Sequence, residues 1–339
     1  MQRRTSRPEP RRRLTWPDGA PRVGIHLGVA AGVMKAARRA RQIGATALQI
    51  FSDNPTAWRR RPEPPARAAE FVAYLAAHDI APVAIHASYL INLAGSAEPF
   101  ASQSRDGLLF EMQRAPAFGA RYVNTHIGSH RGGGHEAGIR RITDNVNAVL
   151  AESPPSVVLV LENSSGGGDN LGSRIEDLAA ILEGADSSQS ARLAFCLDTA
   201  HLWGAGHDIS TPEAATELLD RFDALIGLDR LALVHLNDSR SALGSRNDRH
   251  EHLGAGKIGP VGLAAFLRDP RLAQRTAFMM ETPGVDEGYD AVNMRRARLL
   301  YGGAITLPTL QPKAFRTSRR STRTGVGRGT SLNARGERA

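Results

Sequence analysis

Six side chains able to bind a metal recur along this chain at intervals of 40, 36, 36, 37 and 46 residues: His86, His126, Glu162, Asp198, His235 and Glu281. Each closes a short apolar run, as in VAIH, YVNTH, VVLVLE, AFCLD, LALVH and AFMME. Taken singly, a histidine in such a place is ordinarily a hydrogen-bonded structural residue. A carboxylate after VVLVL is harder to place, because burying a charge is costly unless it is paired or bound to a metal. Further candidates join the six. His201 follows Asp198 by three residues in CLDTAH; Asp248 and His250 are separated by one residue in SRNDRHEHLGAGKIG, so in an extended segment both point to one side. The set is then five histidines and four carboxylates. One zinc ion takes three or four ligands, so this set suits a cluster of two or three ions with bridging carboxylates. Nitrogen and oxygen donors without thiolates point to Zn2+, Mn2+ or Fe2+. Such clusters suit phosphodiester hydrolysis: they generate hydroxide near neutral pH, hold a phosphate oxygen, and stabilise both the attacking and the leaving oxygen.

The intervals each match one strand plus one helix. From residue 22 to about 303, eight β-rich runs (RVGIHLG, TALQIFS, APVAIHA, RYVNTHIG, SVVLVLEN, RLAFCLDTA, LALVHLND and TAFMMETPG) alternate with longer stretches. Residues 33–44, 66–80, 136–152 and 211–227 have the three-and-four apolar spacing of helices that bury one face. Ser173, Thr211 and Asp286 stand where helix N-caps belong. Eight such units close most simply into an α/β fold, a (β/α)8 TIM barrel, with a doubly wound open sheet as the alternative. The barrel is favoured because it gathers all six strand-end residues at its C-terminal mouth. In an open sheet the first and last would lie many strands apart. His26 ends the first run, but GIHLG offers no partner carboxylate, so a supporting role at most is expected; His78, late in a helix, needs only solvent or the helix dipole.

The net charge of +9 is unevenly distributed. Residues 1–21 carry +4 and residues 306–339 carry +7, which leaves −2 for the middle. Both ends are rich in Arg, Pro, Ser, Thr and Gly and read as disordered basic tails, 1–21 and 304–339, flanking a catalytic domain at 22–303. They suit non-specific contact with a polyanion, or simple solvation. No apolar run is long enough to span a bilayer, no secretory signal is evident, and the single Cys196 suits a reducing compartment. The expectation is a soluble, cytoplasmic protein without membrane contact, nucleoid-associated if bacterial.

Between about Val23 and Gly303 the motifs GIHLGVAAG, HASYLINLAG, THIGSH, LENSSGGGDNLG, CLDTAHLWGAGHD, HLNDS, SRNDRHEHLGAGKIG and ETPG occur in this order. The chain thereby resembles endonuclease IV, the second family of apurinic/apyrimidinic (AP) endonucleases; LDTAH with DRHxxLGxG at this spacing is specific. The resemblance implies a TIM barrel and a trinuclear zinc site, with Mn2+ able to replace one or more ions. It implies that His86 and His126 bind one ion and share it with Glu162, which bridges to a second. That second ion would also take Asp198, His235 and Glu281; His201, Asp248 and His250 would hold the third. The implied reaction is hydrolysis of the phosphodiester 5′ to an abasic site in duplex DNA by metal-activated hydroxide, leaving a 3′-hydroxyl and a 5′-deoxyribose phosphate. Glu162 is the candidate for assisting the water, and a monomer is expected. Tyr89 and Leu90 match residues that push into the duplex at the lesion, an already baseless and therefore cheaply displaced position. Arg249, Gly254 and Gly256 would approach phosphates, and His250, not His252, stands at the ligand position.

The chain departs from the family pattern at Thr56, where a basic intercalating residue is common, with Arg59, Arg60 and Arg61 nearby as substitutes. Ala200 and Ile127 replace a common cysteine and proline. A sugar isomerase or epimerase on a similar barrel is the rival enzyme; it would need Glu162, Asp198 and Glu281 but not His86, His126, His201, Asp248 and His250 together. A DNA-binding scaffold acting through its tails is the non-enzymatic rival, and it predicts losses among the ligands.

Overall fold

The structure, a computed structural model, describes residues 15–310. Its barrel strands are β1 (Arg22–Leu27), β2 (Ala47–Phe51), β3 (Val83–His86), β4 (Tyr122–His126), β5 (Val158–Glu162), β6 (Leu193–Asp198), β7 (Leu231–His235) and, last in the chain, β10 (Ala277–Met280). Two short strands, β8 (Asp238–Ser239) and β9 (His250–Glu251), form a separate antiparallel ribbon. The eight longer strands close in the order β1-β10-β7-β6-β5-β4-β3-β2, and every pairing is parallel. All eight runs expected to be strands become barrel strands, so the TIM barrel is the fold and the open sheet is excluded. The helices around it are α1 (Val33–Ile43), α2 (Ala68–Ala76), α3 (Phe100–Arg114), α4 (His135–Glu152), α5 (Ile175–Glu183), α6 (Thr199–Ala205), α7 (Pro212–Leu225), α8 (Gly259–Arg268) and α9 (Tyr289–Tyr301). Among the described residues no helix is long and apolar enough to cross a membrane.

Two hydrophobic cores follow from the two faces of each strand. The larger lies between strands and helices, with Ile25, Leu48, Ile85, Val123 and Leu161 among its members. The smaller fills the barrel with Ala47, Ala84, Tyr122, Val160, Ala194, Cys196, Ala232, Leu233, Ala277 and Met279. Side chains two apart on a strand share a face. The inward residue one step above Ala47 is therefore Gln49; above Ala84, His86; above Tyr122, Asn124; above Val160, Glu162; and above Cys196, Asp198. All five are buried. The polar layer at the mouth is thus the top floor of the barrel interior.

Thr211 caps α7, its hydroxyl accepting from the Ala214 N–H at 3.2 Å. Ser173 and Asp286 do not cap. Arg174 precedes α5, and Asp286 sits in a 3-10 turn ahead of Gly288, which precedes α9. The packed fold is also wider than 22–303. Trp16 meets Tyr301 edge-on at 6.1 Å, lies 5.1 Å from the Arg298 guanidinium, and donates its indole N–H to Gly44 O at 3.2 Å. At the other end Leu307 packs on the core and Pro308 O accepts from Arg296. Composition assigned these residues to the tails because one anchoring Trp and one Leu are diluted among Pro and Arg. Residues 1–14 and 311–339, on which the expectation of disordered tails mainly rests, lie outside the described residues.

Candidate metal centre

The mouth brings all nine candidate ligands together. His86 Nε2 and His126 Nε2 stand 3.6 and 3.5 Å from Glu162 Oε2, with His126 and Glu162 already set opposite each other by the β4–β5 register. His235 Nδ1 is 3.2 Å from Glu162 Oε1, 3.4 Å from Glu281 Oε2 and 3.9 Å from Asp198 Oδ2. His250 Nε2 is 3.3 Å from Asp198 Oδ2 and 3.2 Å from Asp248 Oδ1, and His201 Nε2 is 3.2 Å from Asp248 Oδ2. Three sets made of the expected ligands result: His86, His126 and Glu162; Glu162, Asp198, His235 and Glu281; Asp198, His201 and His250, with Asp198 in the place expected of Asp248; the buried Cys196 thiol also groups with Glu162 and His235 inside the barrel. Within each, ligand atoms lie within 4.8 Å of one another. Glu162 belongs to the first two sets and Asp198 to the last two, as bridging carboxylates must.

Different parts of the fold deliver these groups. Strand ends supply the first six, and the first turn of α6 supplies His201, whose N–H is capped by Asp198 at 2.9 Å. Asp248 and His250 arrive on a long excursion between β8 and β9. Asp238 anchors its return, accepting from Gly256 N at 2.9 Å and Ile258 N at 3.0 Å.

Burial works to raise the Glu162 carboxyl, but His235 and His126 outweigh it and hold it well below the usual range. Glu281 and Asp248 are likewise lowered, against burial, by His235 and His201 respectively. The carboxylates therefore stand ready as anions. The imidazoles are oriented by their second nitrogens. His86 Nδ1 faces Ala87 O at 2.8 Å, His201 Nδ1 faces Asn163 O at 2.9 Å and His250 Nδ1 faces Glu281 O at 3.2 Å. A carbonyl only accepts, so each Nδ1 carries a proton and Nε2 is the atom left to bind a cation. Against burial, the neighbouring carboxylates push the His86, His201 and His250 imidazoles up, so a cation entering there displaces a proton from Nε2. His250 Nε2 is buried between the Asp198 and Asp248 carboxylates. This donor set fits divalent cations.

Several residues of the centre carry no signal of ionisable spacing and were missed from sequence. Asn124 Nδ2 donates to Glu162 Oε2 at 2.6 Å, Asn237 Nδ2 donates to Asp198 Oδ2 at 2.7 Å, and Asn163 Oδ1 accepts from Asp198 N at 2.7 Å. Their one clue is adjacency to a ligand in YVNTH, LEN and HLND. His26 was read as lacking a carboxylate partner, yet its Nδ1 lies 3.5 Å from Glu281 Oε1, because β1 and β10 are neighbours in the barrel though ends of the chain.

The centre opens into a cavity of about 400 Å³ walled by ligands, His26 and Tyr89. A depression of about 500 Å³ at the opposite, N-terminal end, around Arg22, Arg121 and Arg275, contains none of the nine. Tyr89 is 61% exposed at the rim, with Leu90 half-buried beside it; burial, then Glu281 and Glu162, push the Tyr89 phenol up to about 12. Arg249 is exposed. The requirement for glycine at 254 and 256 is internal. Gly254 has φ +69° with Leu307 Cδ1 2.5 Å from where a Cβ would sit, and at Gly256 a Cβ would meet Ser239 O at 2.4 Å. His252 stands apart, stacked on Tyr289 at 4.5 Å and bonded to Asn293 at 2.9 Å. Of the three arginines near Thr56, only Arg59 is exposed without such a tie. Arg60 is buried 3.9 Å from Glu111, and Arg61 bonds to Asp53 at 2.8 Å.

Fold and site define a xylose isomerase-like TIM barrel with a histidine- and carboxylate-lined mouth, and residues 37–298 match that family. Within this class the chain is 37% identical to "Probable endonuclease 4" of Halothermothrix orenii, over 81% of this chain and 99% of that protein. The crystal structure of endonuclease IV from Thermus thermophilus superposes with a TM-score of 0.73 at 38% identity, covering 84% of this chain and 100% of that one. A D-tagatose 3-epimerase-like protein superposes with a TM-score of 0.64 at 15% identity, a likeness of fold alone. The chain belongs to the endonuclease IV family.

Proposed function

We propose that the protein is a DNA-repair endonuclease that hydrolyses the phosphodiester 5′ to an abasic site in duplex DNA, leaving a 3′-hydroxyl and a 5′-deoxyribose phosphate. The observation that carries this reading is the overlap of three ligand sets through two buried shared carboxylates, Glu162 and Asp198, next to an open cavity walled by other members of the sets. A sugar-handling barrel with a smaller metal site has no use for the third set. Bound at these sets, three divalent ions, zinc by the donor chemistry, supply Lewis-acid activation of water and neutralise the phosphate.

Glu162, ionised and buried among four imidazoles, is the group able to take a proton from the attacking water. Asn124 keeps its Oε2 oriented. The neutral Tyr89 phenol, with Leu90, offers an apolar wedge at the rim for the duplex at the lesion. Exposed Arg249, between two ligands, supplies a phosphate contact, and the backbone at Gly254 and Gly256 is the further candidate for one. All ligands come from one chain, so a monomer suffices. The family and the reaction on DNA favour a cytoplasmic, nucleoid-associated enzyme if the source is bacterial.

The test is nicking of a duplex oligonucleotide bearing one abasic site, with metal content measured on the same preparation. The expected product carries a 3′-hydroxyl that a polymerase extends. Absence of nicking by protein holding close to three metals per chain overturns the assignment.

A further inference from the structure

One half-buried imidazole at the centre is not among the nine. His26 faces into the barrel at the end of β1, and the β1–β2 register sets it opposite Gln49. Gln49, fully buried, touches three groups: Nε2 lies 2.7 Å from Glu281 Oε1 and 3.2 Å from His26 Nδ1, and Oε1 lies 3.1 Å from His235 Nε2. An ionised carboxylate only accepts hydrogen bonds, so the amide atom beside Glu281 is the nitrogen. The amide orientation is thereby fixed, and two tautomers follow from it. His235 must carry a proton on Nε2 to donate to Gln49 Oε1, which leaves Nδ1 for the carboxylate side. His26 Nδ1 must accept the other amide N–H, since a proton there would face a donor at 3.2 Å; Glu281, at 3.5 Å, is too far to hold one strongly.

Neutral His26 therefore carries its proton on Nε2. That atom is buried and has no hydrogen-bond partner among the described residues, although the ring forms part of the cavity wall beside His86 and Tyr89. Phe51, with its centroid 4.3 Å away, packs against the ring and limits its freedom to turn. A buried donor left unpaired costs about 1–3 kcal/mol. The cavity that the His26 ring walls is the side from which an acceptor can reach it.

We propose that His26 is a substrate-contacting residue: its Nε2–H, aimed by Gln49, donates to a phosphate oxygen of the strand bound over the metal centre. This rests on the phosphodiesterase reading above. Gln49 is then a positioning residue that sets opposite tautomers on its two neighbours, His26 as a donor and His235 as a ligand through Nδ1.

Two measurements test this. Nitrogen-15 spectra of the histidine-labelled, zinc-loaded protein report the tautomer without any substrate, with the His26 signals assigned by their absence in His26→Gln. Protonated Nε2 is expected, with the preference lost in Gln49→Leu; a proton on Nδ1 overturns the proposal. Separately, single-turnover nicking of the abasic duplex at saturating enzyme is compared for wild type, His26→Phe and His26→Gln, with metal content recorded. Loss of one hydrogen bond to a charged oxygen predicts a rate about 10- to 100-fold lower for Phe at unchanged metal content, and Gln, which retains an N–H, recovers most of it. Wild-type rate in His26→Phe overturns the proposal, as does a loss that tracks loss of metal. If wild type itself fails to nick, the reading of the function falls and with it the phosphate contact, while the tautomer spectra still decide the role of Gln49.

Discussion

Asn237 ties together two carboxylates delivered by different strands. Its side chain is fully buried. Nδ2 donates to Asp198 Oδ2 at 2.7 Å, Oδ1 accepts from Glu281 N at 2.8 Å, and its own N–H is held by Thr199 Oγ1 at 2.9 Å. Asn237→Ala leaves that last bond intact and removes the other two. Asp198 loses a charge-assisted hydrogen bond, about 1.5–3 kcal/mol, and Glu281 N–H is left without an acceptor, about 1–3 kcal/mol. Relaxation and entering water recover part of the sum, so the lower end, about 2.5 kcal/mol, is expected. For a domain of this size that corresponds to a melting temperature roughly 4 °C lower. Both affected groups are candidate ligands, so metal affinity should fall about 10- to 100-fold, the usual cost of losing a residue that orients a ligand. Asn237→Asp keeps an acceptor for Glu281 N–H but sets a second carboxylate against Asp198 Oδ2, and its melting temperature should fall at least as far. Thermal unfolding and competition with a chromogenic chelator measure the two effects. An alanine variant that melts within about 1 °C of wild type and holds metal equally well against the chelator refutes the claim that Asn237 holds the centre together.

Gly256→Ala should cost about 1–3 kcal/mol and depress nicking, because its Cβ would lie 2.4 Å from Ser239 O and 2.5 Å from Asp238 Oδ1; Gly28→Ala, with nothing within 4 Å of the new Cβ, is the control expected to melt as wild type. Burial raises the Asp53 carboxyl, but the Arg61 guanidinium and N–H override it and bring it down to about 2. Its stabilisation is therefore complete above the free-carboxylate range near pH ~4 and is lost as pH falls towards 2. Urea midpoints of wild type and Asp53→Asn should converge over that interval; a gap unchanged down to pH ~2 contradicts the pairing. Compared with a chain that begins at residue 15, one that begins at residue 22 loses the contacts of Trp16 with Tyr301 and Gly44 and should be less stable by about 1–3 kcal/mol; equal melting of the two truncations counts against that anchor.

The strand-borne ligands are legible in sequence for a physical reason. A charged or imidazole group closing an apolar run pays a large desolvation penalty, so its presence there demands explanation. Gln49, Asn124, Asn163 and Asn237 occupy equivalent positions, but an amide does not ionise, and nothing in a one-dimensional reading distinguishes them from ordinary turn formers. Partners remote in sequence are hidden for a different reason. Arg60 and Arg61 look like free phosphate contacts until α3 brings Glu111 beside one and the strand-end Asp53 holds the other. His26 looks isolated until barrel closure sets β1 against β10.

The same division explains what is particular to this barrel. Five of the nine candidate ligands close barrel strands and a sixth, Glu281, directly follows one, where any parallel barrel has inward positions at its mouth. A site made of those alone would resemble the smaller metal sites that sugar-handling barrels need. The third set depends on structure beyond the strands: His201 in the first turn of α6, capped by Asp198, and His250 at the start of β9, with Asp248 beside both. That return is secured by a buried carboxylate, Asp238, which accepts the N–H groups of Gly256 and Ile258. Gly256 must be glycine because its backbone lies against Asp238 and Ser239. Gly256 therefore serves the candidate metal centre by letting the chain after His250 close against β8. A change at Asp238 or Gly256 should remove the third set while leaving the strand-borne sets in place.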